Sequence, residues 1–183
     1  MKRPEGYYPA IMRKVLIIGP GGAGKSTLAH KLGRLLNIEV LHLDRFYWQP
    51  GWVEMPKPDW LKKVEELSRR DAWIMDGNYS GTLELRVRAC DTVIFMDMPR
   101  ALCLWRVLKR SRMYRKKSRP DVGEGCPEKL PLSFLLWIWN YSRRTRPKVV
   151  RLLEANRGEK KIVWLRSQRD VERFLSEQGA ANN

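Results

Sequence analysis

The chain has 183 residues, 43% of them hydrophobic and 31% charged, which suits one soluble domain with a real core. No apolar run approaches the ~18 residues of a membrane span, and the N-terminus lacks the apolar stretch of a secretory signal. Lysine and arginine number 36 against 20 acidic residues, a formal net charge of +16 that suits polyanionic partners and argues against polycationic ones.

Residues 1–12 read as an N-terminal extension with a turn-like Pro4-Glu5-Gly6-Tyr7-Tyr8-Pro9, and organised sequence starts at Arg13. Lys14 to Ile18 is a short apolar run ending in glycine, the pattern of a buried parallel strand. Residues 25–36 carry Leu28, Leu32, Leu35 and Leu36 at helical spacing. Val40 to Leu43 reads as a second strand ending at Asp44, and Asp59 to Arg69 as a helix capped by Asp59, with Leu61, Val64 and Leu67 on its apolar face. Trp73 to Met75 is a third strand ending at Asp76-Gly77, and Thr92 to Met96 a fourth ending at Asp97.

Arg100 to Met113 is predicted helical with Ala101, Leu104, Trp105 and Leu108 on its stripe. Arg115 to Lys129 has no periodicity and holds Pro120, Gly123, Gly125 and Pro127, so it is a loop. Pro131 to Glu154 is helical with a break at Pro147. A fifth strand, Lys161 to Leu165, and a helix near Asp170 to Leu175 close the chain. Strands alternating with helices imply one α/β domain with a parallel sheet covered on both faces, spanning 13–178, with 179–183 as a tail. Cys90, Cys103 and Cys126 have no metal-ligand spacing and read as reduced thiols in a cytoplasmic protein.

Gly19-Pro20-Gly21-Gly22-Ala23-Gly24-Lys25-Ser26-Thr27 satisfies GxxxxGK[ST], after a strand and before a helix. Phosphate oxygens crowd against backbone there, so side chains are missing where the glycines stand, and successive N–H groups point inward. The helix adds the positive end of its dipole. Lys25 reaches the β- and γ-phosphates of ATP or GTP, and the Ser26 hydroxyl is placed for Mg²⁺.

Further stretches point to a family: His42-Leu43-Asp44, Pro50-Gly51-Trp52, Asp76-Gly77-Asn78-Tyr79, Leu104 to Arg110, Arg119-Pro120-Asp121, Glu124 to Glu128 and Leu165-Arg166-Ser167. With the phosphate loop they resemble the bacterial group labelled "DNA topology modulation protein", in the adenylate-kinase-like branch of P-loop NTPases, over about 13–175. The resemblance implies a three-layer sandwich with a five-stranded parallel sheet of order 2-3-1-4-5 and a helical or loop lid at about 112–130. It implies that Asp76 is the carboxylate supporting Mg²⁺ through water, that Arg106 and Arg110 flank the base and the transferring phosphoryl group, and that the Arg166 loop carries the adenine ring.

Several residues have a functional and an ordinary reading. Asp44 either orients and deprotonates the acceptor or caps a turn. Arg86 and Arg88 either include a grip for the acceptor's phosphate or are surface arginines. Arg112, Arg115, Lys116, Lys117 and Arg119 form a basic lid or a solvated face, and Arg143, Arg144 and Arg146 stand likewise. Asp97 reads as structural. Trp105, Trp137 and Trp164 read as core, while Phe46, Tyr47, Trp48 and Trp52 form either an acceptor wall or packing.

The leading function is an ATP-dependent phosphotransferase acting on a small acceptor, with a nucleoside or nucleotide suggested by the family branch. The alternative is a nucleic-acid-associated NTPase using residues 100–151. Its warrant is that 15 lysines and arginines face 3 acidic residues between Met98 and Arg151, a local net of +12. No sequence signal bears on oligomeric state.

Overall fold

In the computed structural model, residues 12–115, 119 and 121–181 are described. Five parallel strands form the sheet: β1 (Lys14–Ile18), β2 (Val40–His42), β5 (Trp73–Asp76), β6 (Thr92–Met96) and β7 (Lys161–Leu165), in the order β2-β5-β1-β6-β7. Counted along the sheet strands alone this is the expected 2-3-1-4-5. β1 lies at the centre, with Ile17 in register with Asp76 on one side and Ile94 on the other.

Strand alternation builds two cores. Val15, Ile17, Ile74 and Ile94 face one side and pack with Leu28 and Leu32 of α1 (Lys25–Leu36), Val107 of α5 (Arg100–Met113) and Phe174 of α8 (Gln168–Ala181). Leu16, Ile18, Met75 and Phe95 face the other and meet Val64 of α3 (Lys57–Ser68), Val87 of α4 (Leu83–Ala89) and Leu153 of α7 (Arg146–Ala155). Both faces of a parallel sheet are thereby covered, which is why its strands read as unbroken apolar runs. Met12, assigned to the extension by sequence, belongs to the first core; residues 1–11 lie outside the described residues.

The structure corrects several boundaries. β2 stops at His42, and Asp44 falls in the first turn of α2 (Leu43–Tyr47). A hairpin follows that the sequence reading did not contain, β3 (Trp48–Gln49) with β4 (Val53–Glu54). Helix α3 starts at Lys57 behind Pro56, with Asp59 inside its first turn making no cap hydrogen bond. Its buried face is Trp60, Val64 and Leu67, leaving Leu61 exposed. Along α5 the buried residues are Cys103 and Val107, so Trp105 is 57% exposed and not core. The stripe is rotated because Cys103 and Val107 pack against the phosphate loop, where a Cβ on Gly22 would meet both.

The long helix breaks at Thr145, not Pro147: α6 (Leu132–Arg144) ends and α7 begins with Pro147 in its first turn, where a missing N–H costs nothing. The final helix is longer than expected and runs through 179–181 of the assigned tail. It is fixed by a reciprocal cap: the Asp170 N–H donates to Ser167 Oγ at 3.1 Å, and Asp170 Oδ2 accepts from the Ser167 N–H at 3.0 Å.

Candidate active site

The phosphate loop joins the central strand to α1 in a conformation that only glycine supports. Gly22 sits at φ +79°, and a Cβ there would lie 2.3 Å from the Cys103 carbonyl oxygen. At Gly19 a Cβ would lie 2.4 Å from the Met96 carbonyl oxygen. Gly24 precedes the first helical residue, Lys25, and Gly21 packs under Phe134. The Ala23 carbonyl accepts from Arg106 Nη1 at 3.1 Å, while the Gly19 N–H donates to Asn78 Oδ1 at 3.0 Å. Thr27 is exposed on α1. The turn after β5 thus holds the loop from one side and α5 holds it from the other.

Lys25 Nζ donates to the Pro20 carbonyl at 3.0 Å, curled into its own loop. Burial draws the Lys25 pKa below the ordinary lysine range, against the opposing pull of Asp76 and Asp44. Ser26 Oγ donates to Asp121 Oδ2 at 3.0 Å. Asp76 ends β5 beside β1, and its Oδ1 lies 2.7 Å from His42 Nδ1. His42 Nε2 in turn lies 3.1 Å from His30 Nε2. Burial works to lower the His42 pKa, but the hydrogen bond and charge of Asp76 outweigh it and raise it.

Asp44 accepts a 2.6 Å hydrogen bond from the Tyr79 hydroxyl. Burial raises its pKa and Asp76 adds repulsion, with Tyr79 and Lys25 opposing. Around it Tyr47, Trp60 and Tyr79 pack ring to ring, with centroids 4.7 to 5.1 Å apart. Trp48 meets Tyr47 edge-on at 4.9 Å and Trp52 at 5.3 Å. The aromatic cluster is therefore both packing and the surround of Asp44.

The segment where the resemblance places a lid meets this cluster through the hairpin. The Gly51 N–H donates to the Gly125 carbonyl at 2.9 Å, and Trp52 Nε1 donates to the Pro127 carbonyl at 2.8 Å. Trp52 holds φ +67°, a conformation costing a bulky residue about 1 kcal/mol or more; its lid contact offsets that cost. In the same segment the Glu128 side chain is 2% exposed and ion-paired to both Arg119 Nε (2.7 Å) and Arg110 Nε (3.1 Å).

Among the expected arginines, Arg106 and Arg110 both sit beside the loop, but only Arg106 touches it. Arg106 Nη2 also reaches Gln168 Oε1 at 3.1 Å. Arg166 is exposed, its guanidinium 5.3 Å from the Trp164 ring centroid, and it lines a cavity of about 450 Å³ with Pro20, Arg100, Tyr141 and Arg146. Gln168, which meets Arg106, is the first residue of α8, two positions beyond Arg166. Arg86 is no phosphate grip: it is fully buried and spent on backbone carbonyls. Arg146 is likewise committed, to the structural carboxylate Asp97 at 2.8 Å. Arg112, Arg115, Arg143 and Arg144 are exposed, and Lys116 and Lys117 lie outside the described residues.

Sequence reasoning missed Asn78, Asp121, Glu128 and Gln168. The signal was present for two of them, since Asp121 and Glu128 are acids inside a strongly basic stretch, and a buried acid there implies arginine partners. Among the described residues no group of three or more His, Cys, Asp or Glu is placed to cage a metal ion. The donors at hand are the Ser26 hydroxyl with Asp76 and Asp121 nearby. That sparse oxygen set fits Mg²⁺, which keeps several waters and takes phosphate oxygens beside one or two protein ligands. No described helix is long and apolar enough to cross a membrane.

No protein-family model matches the chain, and a comparison with curated protein sequences returns no relative. Solved structures do match along nearly the whole length. A gluconokinase from Sinorhizobium meliloti 1021 is 16% identical with a TM-score of 0.51, covering 92% of this chain and 90% of its own. A shikimate kinase from Bacteroides thetaiotaomicron is 16% identical with a TM-score of 0.52, covering 91% and 96%. A shikimate kinase from Acinetobacter baumannii, solved with shikimate, is 21% identical with a TM-score of 0.51, covering 92% and 94%. At these identities the likeness is one of fold: an α/β P-loop sandwich of the kind kinases use.

Proposed function

We propose that this protein is a small-molecule kinase, moving the γ-phosphoryl group of ATP, bound with Mg²⁺, to a hydroxyl or phosphate of a small acceptor. The observation that carries the reading is the meeting of an intact phosphate loop with Asp44, a half-buried carboxylate beside Lys25 and Asp76, inside an aromatic surround closed by a lid. GTP fits the cradle equally, since backbone N–H groups hold the phosphates. The gluconokinase and shikimate kinase folds favour a hydroxyl acceptor, while the resemblance of the sequence stretches to the topology modulation group and its branch favours a nucleoside or nucleotide.

Lys25 leaves the Pro20 carbonyl to reach the β- and γ-phosphates, and Arg106 lies at the loop to neutralise charge that develops on transfer. Ser26, with Asp76, would hold Mg²⁺, which would supply further charge neutralisation for the transfer. Asp44 takes the acceptor's proton as the acceptor oxygen bonds to phosphorus and the bond to the departing nucleoside diphosphate breaks.

The test is a mass-spectrometric screen of wild type and Lys25→Ala with ATP and Mg²⁺ against a metabolite extract. A metabolite gaining one phosphoryl group with wild type alone supports the kinase and names its acceptor. ATP loss without such a product transfers the case to a nucleic-acid-associated NTPase. The face then in question carries Lys109 on exposed Trp105 and Arg100 on exposed Trp139.

Asp44 also predicts a pH profile. Its base form exists above a pKa raised by burial, so turnover falls as pH drops through a point above the usual carboxylate range. Tyr79→Phe removes a hydrogen bond that favours the ionised form and moves this limb to higher pH. Asp44→Asn lowers kcat by about 10²–10⁴-fold and abolishes the limb. A limb unchanged in Asp44→Asn would assign the proton elsewhere.

A further inference from the structure

A carboxylate in the lid is out of place if the lid closes over bare phosphates. Asp121 reaches from the lid to the phosphate loop, and its Oδ2 accepts from Ser26 Oγ at 3.0 Å and from Arg119 Nη1 at 2.9 Å. Asp121 is held as a carboxylate by Arg119 and by the Ser26 hydroxyl that donates to it. Arg119 does not neutralise it fully, because Arg119 is shared with Glu128, which is itself shared with Arg110. A continuous chain of charge therefore runs from Ser26 through Asp121, Arg119 and Glu128 to Arg110 on α5.

We infer that Asp121 is a positioning residue that makes lid closure depend on the divalent cation. The inference rests on the nucleotide-site reading above. By accepting the Ser26 proton, Asp121 leaves the lone pairs of Ser26 Oγ for the cation, which is the orientation a hydroxyl ligand needs. The same carboxylate repels an uncompensated triphosphate seated on the loop. Nucleotide without metal therefore pushes the lid away, and nucleotide with Mg²⁺ draws it shut. The closed lid is reported to the acceptor side by the hairpin, through the Gly51 to Gly125 and Trp52 to Pro127 hydrogen bonds.

The experiment measures ATP affinity calorimetrically with Mg²⁺ and with EDTA, for the wild type and Asp121→Asn, with hydrogen exchange at residues 48–54 and 121–128 in parallel. In the wild type, Mg²⁺ is expected to tighten ATP about tenfold or more, a typical coupling between two sites. In Asp121→Asn, ATP with EDTA binds more tightly than to the wild type, and the Mg²⁺ enhancement shrinks to within about threefold. The wild type with ATP and EDTA exchanges faster at the hairpin and lid than with ATP and Mg²⁺, and Asp121→Asn loses that difference. An enhancement ratio equal to the wild type's in Asp121→Asn overturns the inference. So does a wild-type lid equally protected with either form of ATP, a result that needs no variant. Failure of the wild type to bind ATP in both conditions instead removes the nucleotide-site reading itself.

Discussion

Lys25→Met is expected to lower phosphoryl transfer by ~10³-fold or more while the protein stays folded. The loop's backbone N–H groups and the helix end still hold the phosphates, so ATP affinity falls much less than the rate. What is lost is the one cation of the loop that follows charge onto the transferring group. Stability changes little because the half-buried ammonium is already partly desolvated at a cost and methionine matches its length. Asp44 and Asp76, which lose its charge, keep Tyr79 and His42 as hydrogen-bond partners. Lys25→Arg does not restore the rate, since a planar fork does not replace a point charge curled against Pro20. Single-turnover transfer, ATP affinity and thermal unfolding of the three proteins check this. A Lys25→Met protein retaining a tenth of the wild-type rate would deny Lys25 the role.

The sheet was legible because its strands are buried on both faces: Val15 to Ile18 and Val93 to Phe95 have no polar face to confuse their reading. The phosphate loop was legible because backbone conformation forces its glycines. The surround of Asp44 was not. β3 and β4 are two residues each, set by Gly51 and a strained Trp52, and no periodicity exists over so short a span. The face of α5 was misread because hydrophobic spacing cannot say which apolar residues meet backbone. Cys103 and Val107 win that position through fit against Gly22, and Trp105 is left to Lys109.

Charge counting does not show which cations of the basic stretch are already committed inside the fold. Arg146 is committed to Asp97, Arg110 and Arg119 to Glu128, and Arg106 to Ala23 and Gln168. These cations organise the lid and α5 around the loop, a use that a sum over residues 98–151 does not separate from a solvated patch. The two acids that bind the lid arginines are the informative members of the stretch, because burying a carboxylate without such partners is costly.

Arg86→Ala is expected to destabilise the protein by ~3–5 kcal/mol, on the scale of breaking a buried charged network. Arg86 Nη1 donates to the Gly77 carbonyl at 2.9 Å, Nη2 to those of Asn78 (2.9 Å) and Tyr79 (2.8 Å), and Nε to Thr82 at 3.3 Å. Burial lowers its pKa to about 10, leaving it charged at neutral pH. It is thus a buried cation satisfied by carbonyl dipoles, and truncation orphans those carbonyls and opens a cavity. For a domain of this size the melting temperature falls by ~6–20 °C. The segment it holds carries Asp76 at one end and Tyr79 at the other, with Asn78 bonded to Gly19 between them. Loss of Arg86 therefore also loosens the loop and the Asp44 partner, lowering kcat without contact with either substrate. Arg86→Lys recovers only part, because one ammonium cannot span three successive carbonyls. Thermal unfolding with steady-state kinetics decides the matter. A variant within ~1 kcal/mol of wild type that has lost only acceptor affinity would mean that Arg86 turns into the site and grips an anionic acceptor after all.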